Sequence, residues 1–140
     1  MARDVYMTVE RPKALICGML ELEGKALFLK RKEAGTEGIE MPSVYGTLGA
    51  DPISQLAEAF KKQTGIKAEA GQVVLESRHE YEGAHIPCLV FRMTPVDEGG
   101  IEPEPSGVYS GFVWLALEDA KLKRHAPKGK WLSEPIMRVD

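Results

Sequence analysis

Apolar positions recur along this chain in two rhythms. Lys13–Leu22 (KALICGMLEL) and Lys25–Arg31 (KALFLKR) are short, nearly continuous apolar runs. Glu23-Gly24 between them is a turn signal, so the pair predicts a β-hairpin. Lys32–Met41 is rich in Gly and Glu and reads as a loop, and Pro42–Ala50 as a Gly-punctuated crossing segment. The rhythm then changes. Ile53, Leu56, Ala57 and Phe60 fall at i, i+3, i+4 and i+7, which predicts a helix over Pro52–Thr64 with one buried face. Asp51 suits its N-cap, Pro52 its first position, and Gly65 its C-terminal stop. Strand-like runs return at Gln72–Glu82 and His85–Thr94 around a turn at Gly83. Val96–Gly107 is a loop of Gly, Pro and acidic residues, Val108–Leu117 a further strand, Glu118–Arg124 a short helix, and the remainder irregular. The sum predicts an α+β domain: a mixed or largely antiparallel sheet with one long helix in mid-chain.

Composition narrows the picture. The 140 residues fit one domain with a core that closes unaided. A hydrophobic share of 44% and a charged share of 28% argue against disorder, collagen-like repeats and coiled coil. The net charge of -3 supplies no global positive field, so nucleic acid is not an expected partner. Cys17 and Cys88 lie in apolar stretches, match no zinc spacing, and read as buried free thiols. Met1–Glu10 is charged and lacks the apolar run of a signal peptide, and nothing approaches the ~18 apolar residues of a membrane span. The expectation is a cytoplasmic protein with no membrane partner.

One stretch carries a more specific signal. Gly38–Ile66 reads GIEMPSVYGTLGADPISQLAEAFKKQTGI. It resembles the Nudix (MutT-like) pyrophosphohydrolases, which commonly show a W-x-x-P-G-G lead-in and a box G-x5-E-x7-R-E-U-x-E-E-x-G-U, with U apolar. Laid on without gaps, the lead-in proline falls on Pro42, and Ile39 stands where the tryptophan often is. Gly49 precedes the first box glutamate, Pro52 is a frequent helix-start proline, Phe60 takes the first U, Gly65 the last glycine and Ile66 the final U. Thr64 is a frequent residue at its place. FLKRK before the box ends in the region of the family's phosphate-binding arginine, here Arg31. FVWLALEDA, Phe112–Ala120, is similar to the late W-x-P-L-x-E segment. The resemblance implies a Nudix-like α/β/α sandwich with a mixed sheet and a central box helix over residues 13–123. Residues 1–12 are then an N-terminal arm and 124–140 a C-terminal tail. A homodimer is implied as well.

The box departs from the family where the chemistry sits. Diphosphate hydrolysis uses a divalent ion to neutralise phosphate oxygens and activate water, and Mg²⁺ requires several oxygen ligands. At the four glutamate positions this chain has Ala50, Ala59, Lys62 and Gln63. Ser43 and Val44 replace the paired glycines, and Val108 stands where an auxiliary acidic residue often lies. Lys62 places an ammonium about where the metal charge would be. At ~4 Å and an effective dielectric near 20, a further unit positive charge is repelled by about 4 kcal/mol. The family's arginine becomes Glu58, so its Arg–Glu pair is reversed to Glu58–Lys62, a favourable i, i+4 order. The helix thus keeps a pairing while losing its metal ligands.

Other clusters of charged residues also suit a solvated surface. Glu76, Glu80 and Glu82 share a strand face by parity and, with Glu102 and Glu104, are candidate relocated carboxylates. His79 and His85 flank the Gly83 turn but match no metal-ligand spacing. Lys121, Lys123, Arg124, His125, Lys128 and Lys130 form a basic tail beside Trp131, a composition that suits single-stranded RNA but more often marks a solvated terminus.

The leading expectation is therefore a Nudix-like protein with a degenerate box (Ala50, Glu58, Ala59, Lys62, Gln63) and no metal ligands. It would bind a nucleotide or diphosphate-linked ligand through Arg31, Lys62 and Arg78 and hydrolyse it little or not at all. No cofactor is then expected. The alternatives are a true pyrophosphohydrolase using the relocated carboxylates with Mg²⁺, and an RNA- or protein-interaction module.

Overall fold

The computed structural model describes residues 11–47, 51–97 and 101–139. Gly49 and Ala50 of the box match lie outside the described residues. Two sheets account for the strands. In the first, β5 (Ser43–Gly46), β1 (Ala14–Met19), β7 (Ala84–Pro95), β6 (Ala68–Tyr81) and β9 (Met137–Arg138) lie in that order. The β1–β7 pair is parallel and the rest antiparallel, so this sheet is mixed. In the second, β3 (Lys25–Arg31) pairs with β2 (Glu21–Leu22) and β4 (Gly38–Glu40) along one edge and with β8 (Tyr109–Leu115) along the other. The helices are α1 (Pro52–Thr64), the four-residue α2 (Leu117–Ala120) and a 3-10 helix over Pro127–Ser133.

The apolar run of β1 is continuous because both faces are covered. Leu15, Cys17 and Met19 enter a core shared with Phe28, Met41 and Trp131, while Ile16 and Leu20 join Leu56, Phe60 and Phe91 under α1. Gly18 makes that second layer close-packed: a Cβ there would stand 2.8 Å from Met93 Cγ and 2.9 Å from Phe60 Cδ2. Both expected hairpins form on two-residue turns with positive φ at each position, Glu23-Gly24 and Glu82-Gly83. That handedness matches the twist of the flanking strands.

α1 has the bounds its sequence predicts. The Asp51 side chain accepts from Ile53 N at 3.1 Å and from Ser54 Oγ at 2.9 Å, and Gly65 closes the helix at φ 77, its N–H donating to Lys61 O. The buried stripe is narrower than expected: Leu56, Phe60 and Thr64 follow i, i+4, i+8, and Ile53 is left 44% exposed.

The chain beyond residue 123 differs from the expected irregular, solvated tail. Ala126 N donates to Ile39 O, Ile39 N donates to Arg124 O, and β9 pairs with β6. Trp131 and Leu132 are fully buried in the core. Arg124 and Lys130 of the segment are exposed and Lys128 is half-buried, while Ala126, Trp131 and Leu132 close one side of the domain.

Candidate functional site: a cationic cleft beside the box helix

The site is built around a buried carboxylate. Glu40, the last residue of β4, has no exposed surface. Tyr109 donates its hydroxyl proton to Glu40 Oε2. The backbone N–H of Lys128 donates to Oε1 at 3.0 Å, and Arg31 Nη1 lies 3.9 Å from Oε2. Three distant segments therefore converge on one side chain.

Local backbone features explain the convergence. The β3–β8 register shifts between Lys30 and Arg31, so Tyr109 rather than Ser110 stands opposite Arg31. Such a bulge re-aims a side chain within an otherwise regular ladder. Gly129 lets the 3-10 helix press onto β4, because a Cβ there would run into Ile39 O and come within 3.3 Å of Glu40 Cα. That approach brings Lys128 N to the carboxylate.

Above this floor lies a cavity of about 320 Å³, lined by Arg31, Lys62, Gln63, Ser106, Gly107, Val108, Tyr109 and Lys128. Gln63, at a lost box-glutamate position, clamps α1 to β5: its Nε2 donates to Ser43 O at 2.9 Å and its Oε1 accepts from Ser43 N at 3.1 Å. Lys128 Nζ donates to the same carbonyl at 3.1 Å. Glu104 and Ser106 of the acidic loop are held against the end of α1. Gly65 N, Ser106 Oγ and Glu104 N donate to Lys61 O, Lys62 O and Thr64 O, so the end of α1 has its carbonyls satisfied by this loop and its own cap.

Arg31, Lys62 and Lys128 bring three cations to the cleft against one carboxylate at its floor. Burial lowers the pKa of Lys128, with Glu40 acting in the opposite direction. Burial and the adjacent Glu40 raise the Tyr109 phenol well above its ordinary range, so it stays a protonated donor.

Of the residues singled out in the sequence, Arg31, Lys62 and Gln63 meet here. Arg78 does not; it lies exposed on β6, 3.3 Å from Glu134 Oε1 of the last segment. Glu58 is exposed and Ala59 half-buried on α1. Glu76 and Glu80 are exposed on β6 and Glu82 sits in the hairpin turn. Glu102 borders a separate depression with Lys67 and Asp97. His79 and His85 part company: His79 is fully buried with Nε2 3.0 Å from the Tyr45 hydroxyl, whereas His85 faces Glu134 at 3.8 Å. Trp131, being buried, offers no surface for stacking a base.

Glu40, Tyr109 and Lys128 were missed as site residues. Glu40 sits in a stretch whose composition reads as loop, and Lys128 reads only as one charge of the basic tail. No sequence signal joins positions 88 residues apart.

Magnesium, which the Nudix resemblance implies, does not suit this donor set. Among the described residues no carboxylate lines the cleft wall, and both oxygens of Glu40 beneath it already accept from protein donors. Among the described residues no group of three or more His, Cys, Asp or Glu side chains is placed to share an ion.

No family model matches the chain, and no curated protein does. Solved structures do match it. The E. coli ORF135 protein aligns with TM-score 0.66 and 20% identity, covering 86% of this chain and 85% of that one. A MutT protein from Methanosarcina mazei Go1 aligns with TM-score 0.62 and 20% identity, over 80% and 83%. A C. elegans Ap4A hydrolase aligns with TM-score 0.60 and 18% identity, over 86% and 90%. The fold is that of the Nudix/MutT hydrolases, an α+β sandwich with a mixed sheet. Among the described residues no helix is long and apolar enough to cross a membrane.

Proposed function

We propose that the chain binds a nucleotide or another diphosphate-linked ligand in the cationic cleft and hydrolyses it little or not at all. The observation that carries this reading is the lining itself: Arg31, Lys62 and Lys128 converge where, among the described residues, no carboxylate is available to hold a catalytic cation. Charge-assisted hydrogen bonds from such donors to phosphate oxygens are the strong ones, and Arg presents a planar fork that fits two oxygens at once. The Nudix fold adds support, since one neighbour is an Ap4A hydrolase and so acts on a phosphate-bridged dinucleotide.

Isothermal titration of the full chain against ADP, ATP, ADP-ribose and diadenosine polyphosphates, each in EDTA and in Mg²⁺, tests the reading. Micromolar binding of at least one without measurable phosphate release is the expected result. Absence of binding across the panel in both buffers removes it. Brisk Mg²⁺-dependent turnover would instead establish a hydrolase.

A further inference from the structure

The cleft's donors point beyond the general reading. We propose that it takes the diphosphate group as an uncomplexed polyanion, held by Arg31, Lys62 and Lys128, so that magnesium withdraws the ligand from the protein instead of delivering it. This rests on the diphosphate reading above.

Consider which groups are left to face an anion. Tyr109 donates its hydroxyl hydrogen bond to Glu40, the Ser106 hydroxyl donates to Lys62 O at 2.7 Å, and the Gln63 amide is turned onto Ser43. The neutral side chains of the lining are thus engaged with the protein. The cations are not saturated. Lys128 spends one ammonium donor on Ser43 O, which leaves two of its three, and the Arg31 Nε–H is buried without a partner. Arg31 itself is fixed by the Glu40 carboxylate and keeps 16% of its side chain exposed toward the cleft, so its position is set before a ligand arrives.

The helix end does not oppose this assignment as a bare one would. A C-terminus presents a partial negative charge, but here Lys61 O, Lys62 O and Thr64 O each accept a hydrogen bond from the cap or the acidic loop. Burial of Lys128 adds a reason for a multiply charged partner. An ammonium held partly out of water gains more from an adjacent anion than a solvated one.

A magnesium–diphosphate complex meets this site badly on two counts. Two units of negative charge are already neutralised, and the oxygens bound to the metal are no longer free for Lys62 and Lys128. Three protein cations then face a fourth positive centre with no carboxylate among the described cleft-lining residues.

The test is calorimetric titration of the full chain with inorganic pyrophosphate, in EDTA and in saturating MgCl₂ at matched ionic strength, with ADP run in parallel. The expected result is binding in EDTA that weakens at least about tenfold in Mg²⁺, and a further loss of about tenfold or more in EDTA for Lys128→Met. Lys62→Gln should weaken binding while leaving the thermal midpoint unchanged, which separates an anion contact from a residue that only complements the helix end. Equal affinity in the two buffers, or binding that requires Mg²⁺, overturns the proposal while the diphosphate reading survives. If pyrophosphate fails and ADP binds, the same comparison is read with ADP. Failure of both ligands in both buffers, with the remaining nucleotides failing too, removes the diphosphate reading itself. Should Lys128→Met not fold, the wild-type comparison decides alone.

Discussion

Replacing Glu40 by glutamine probes the hub on which the cleft is hung. The change is nearly isosteric, yet it removes the charge 3.9 Å from the Arg31 guanidinium and turns one acceptor oxygen into an NH₂ group. That NH₂ must face either the Tyr109 hydroxyl or the Lys128 backbone N–H, and the latter can only donate. Breaking a buried ion pair from one side typically costs about 3–5 kcal/mol, and a hydrogen bond to a charged group about 1.5–3 kcal/mol. Arg31 keeps some exposure and has Glu33 at 3.9 Å as an outer partner, so the lower end applies, about 3 kcal/mol. With urea m-values of about 1–3 kcal/mol/M, the urea midpoint should fall by roughly 1–3 M. Tyr109→Phe should cost less, about 1–2 kcal/mol, and the double variant should lose less than the sum of the two, because both act on one network. A Glu40→Gln loss below about 1 kcal/mol, or strict additivity with Tyr109→Phe, would show that the carboxylate does not organise the site.

Three further outcomes are expected. Burial, and after it the nearby Lys130, pushes the His79 pKa down to about 4 from its ordinary 6.5. The unfolded chain therefore binds a proton that the folded one refuses, and stability should fall by about 3 kcal/mol as pH drops from 6.5 to 4, an increment absent in His79→Gln; a His79 imidazole titrating near 6.5 by proton NMR contradicts it. Trp131→Ala should cost about 3–5 kcal/mol and lower the thermal midpoint by about 10–15 °C, whereas a solvated tail would tolerate the change. Cys17 and Cys88 are buried with their sulfurs 4.0 Å apart, and burial raises the Cys17 thiol pKa, so both should resist Ellman's reagent in native buffer and react only in denaturant.

What could be read in advance was local. The Asp51-Pro52 start and Gly65 stop of α1 are capping chemistry contained within a few residues of chain. The Glu23-Gly24 and Glu82-Gly83 turns likewise carry their own conformational requirement. The run from Leu15 to Leu20 reads as a strand, and the two-sided cover that explains its continuity comes from the structure. The site was only half legible, since Arg31 and Lys62 were visible through the box alignment, but the groups that hold and complete the cleft were not. Glu40 lies in a Gly/Glu-rich stretch whose composition suggests solvent. Its burial follows from Tyr109, Lys128 and Arg31 arriving from three separate segments. The bulge after Lys30 has no marker in the residues that form it. The last segment reads as solvated because its basic residues cluster around Arg124–Lys130, although Trp131 and Leu132 decide where it packs.

The most direct measurement is a ¹⁵N NMR titration of the full chain with ADP in EDTA, following backbone amides and the lysine ammonium groups. The account predicts the largest shifts at Arg31, Lys62, Ser106 and Lys128, saturating together on one binding curve. Shifts centred instead on Glu76–Arg78 or on Gly65–Lys67, or an unperturbed spectrum at millimolar ADP, would contradict it.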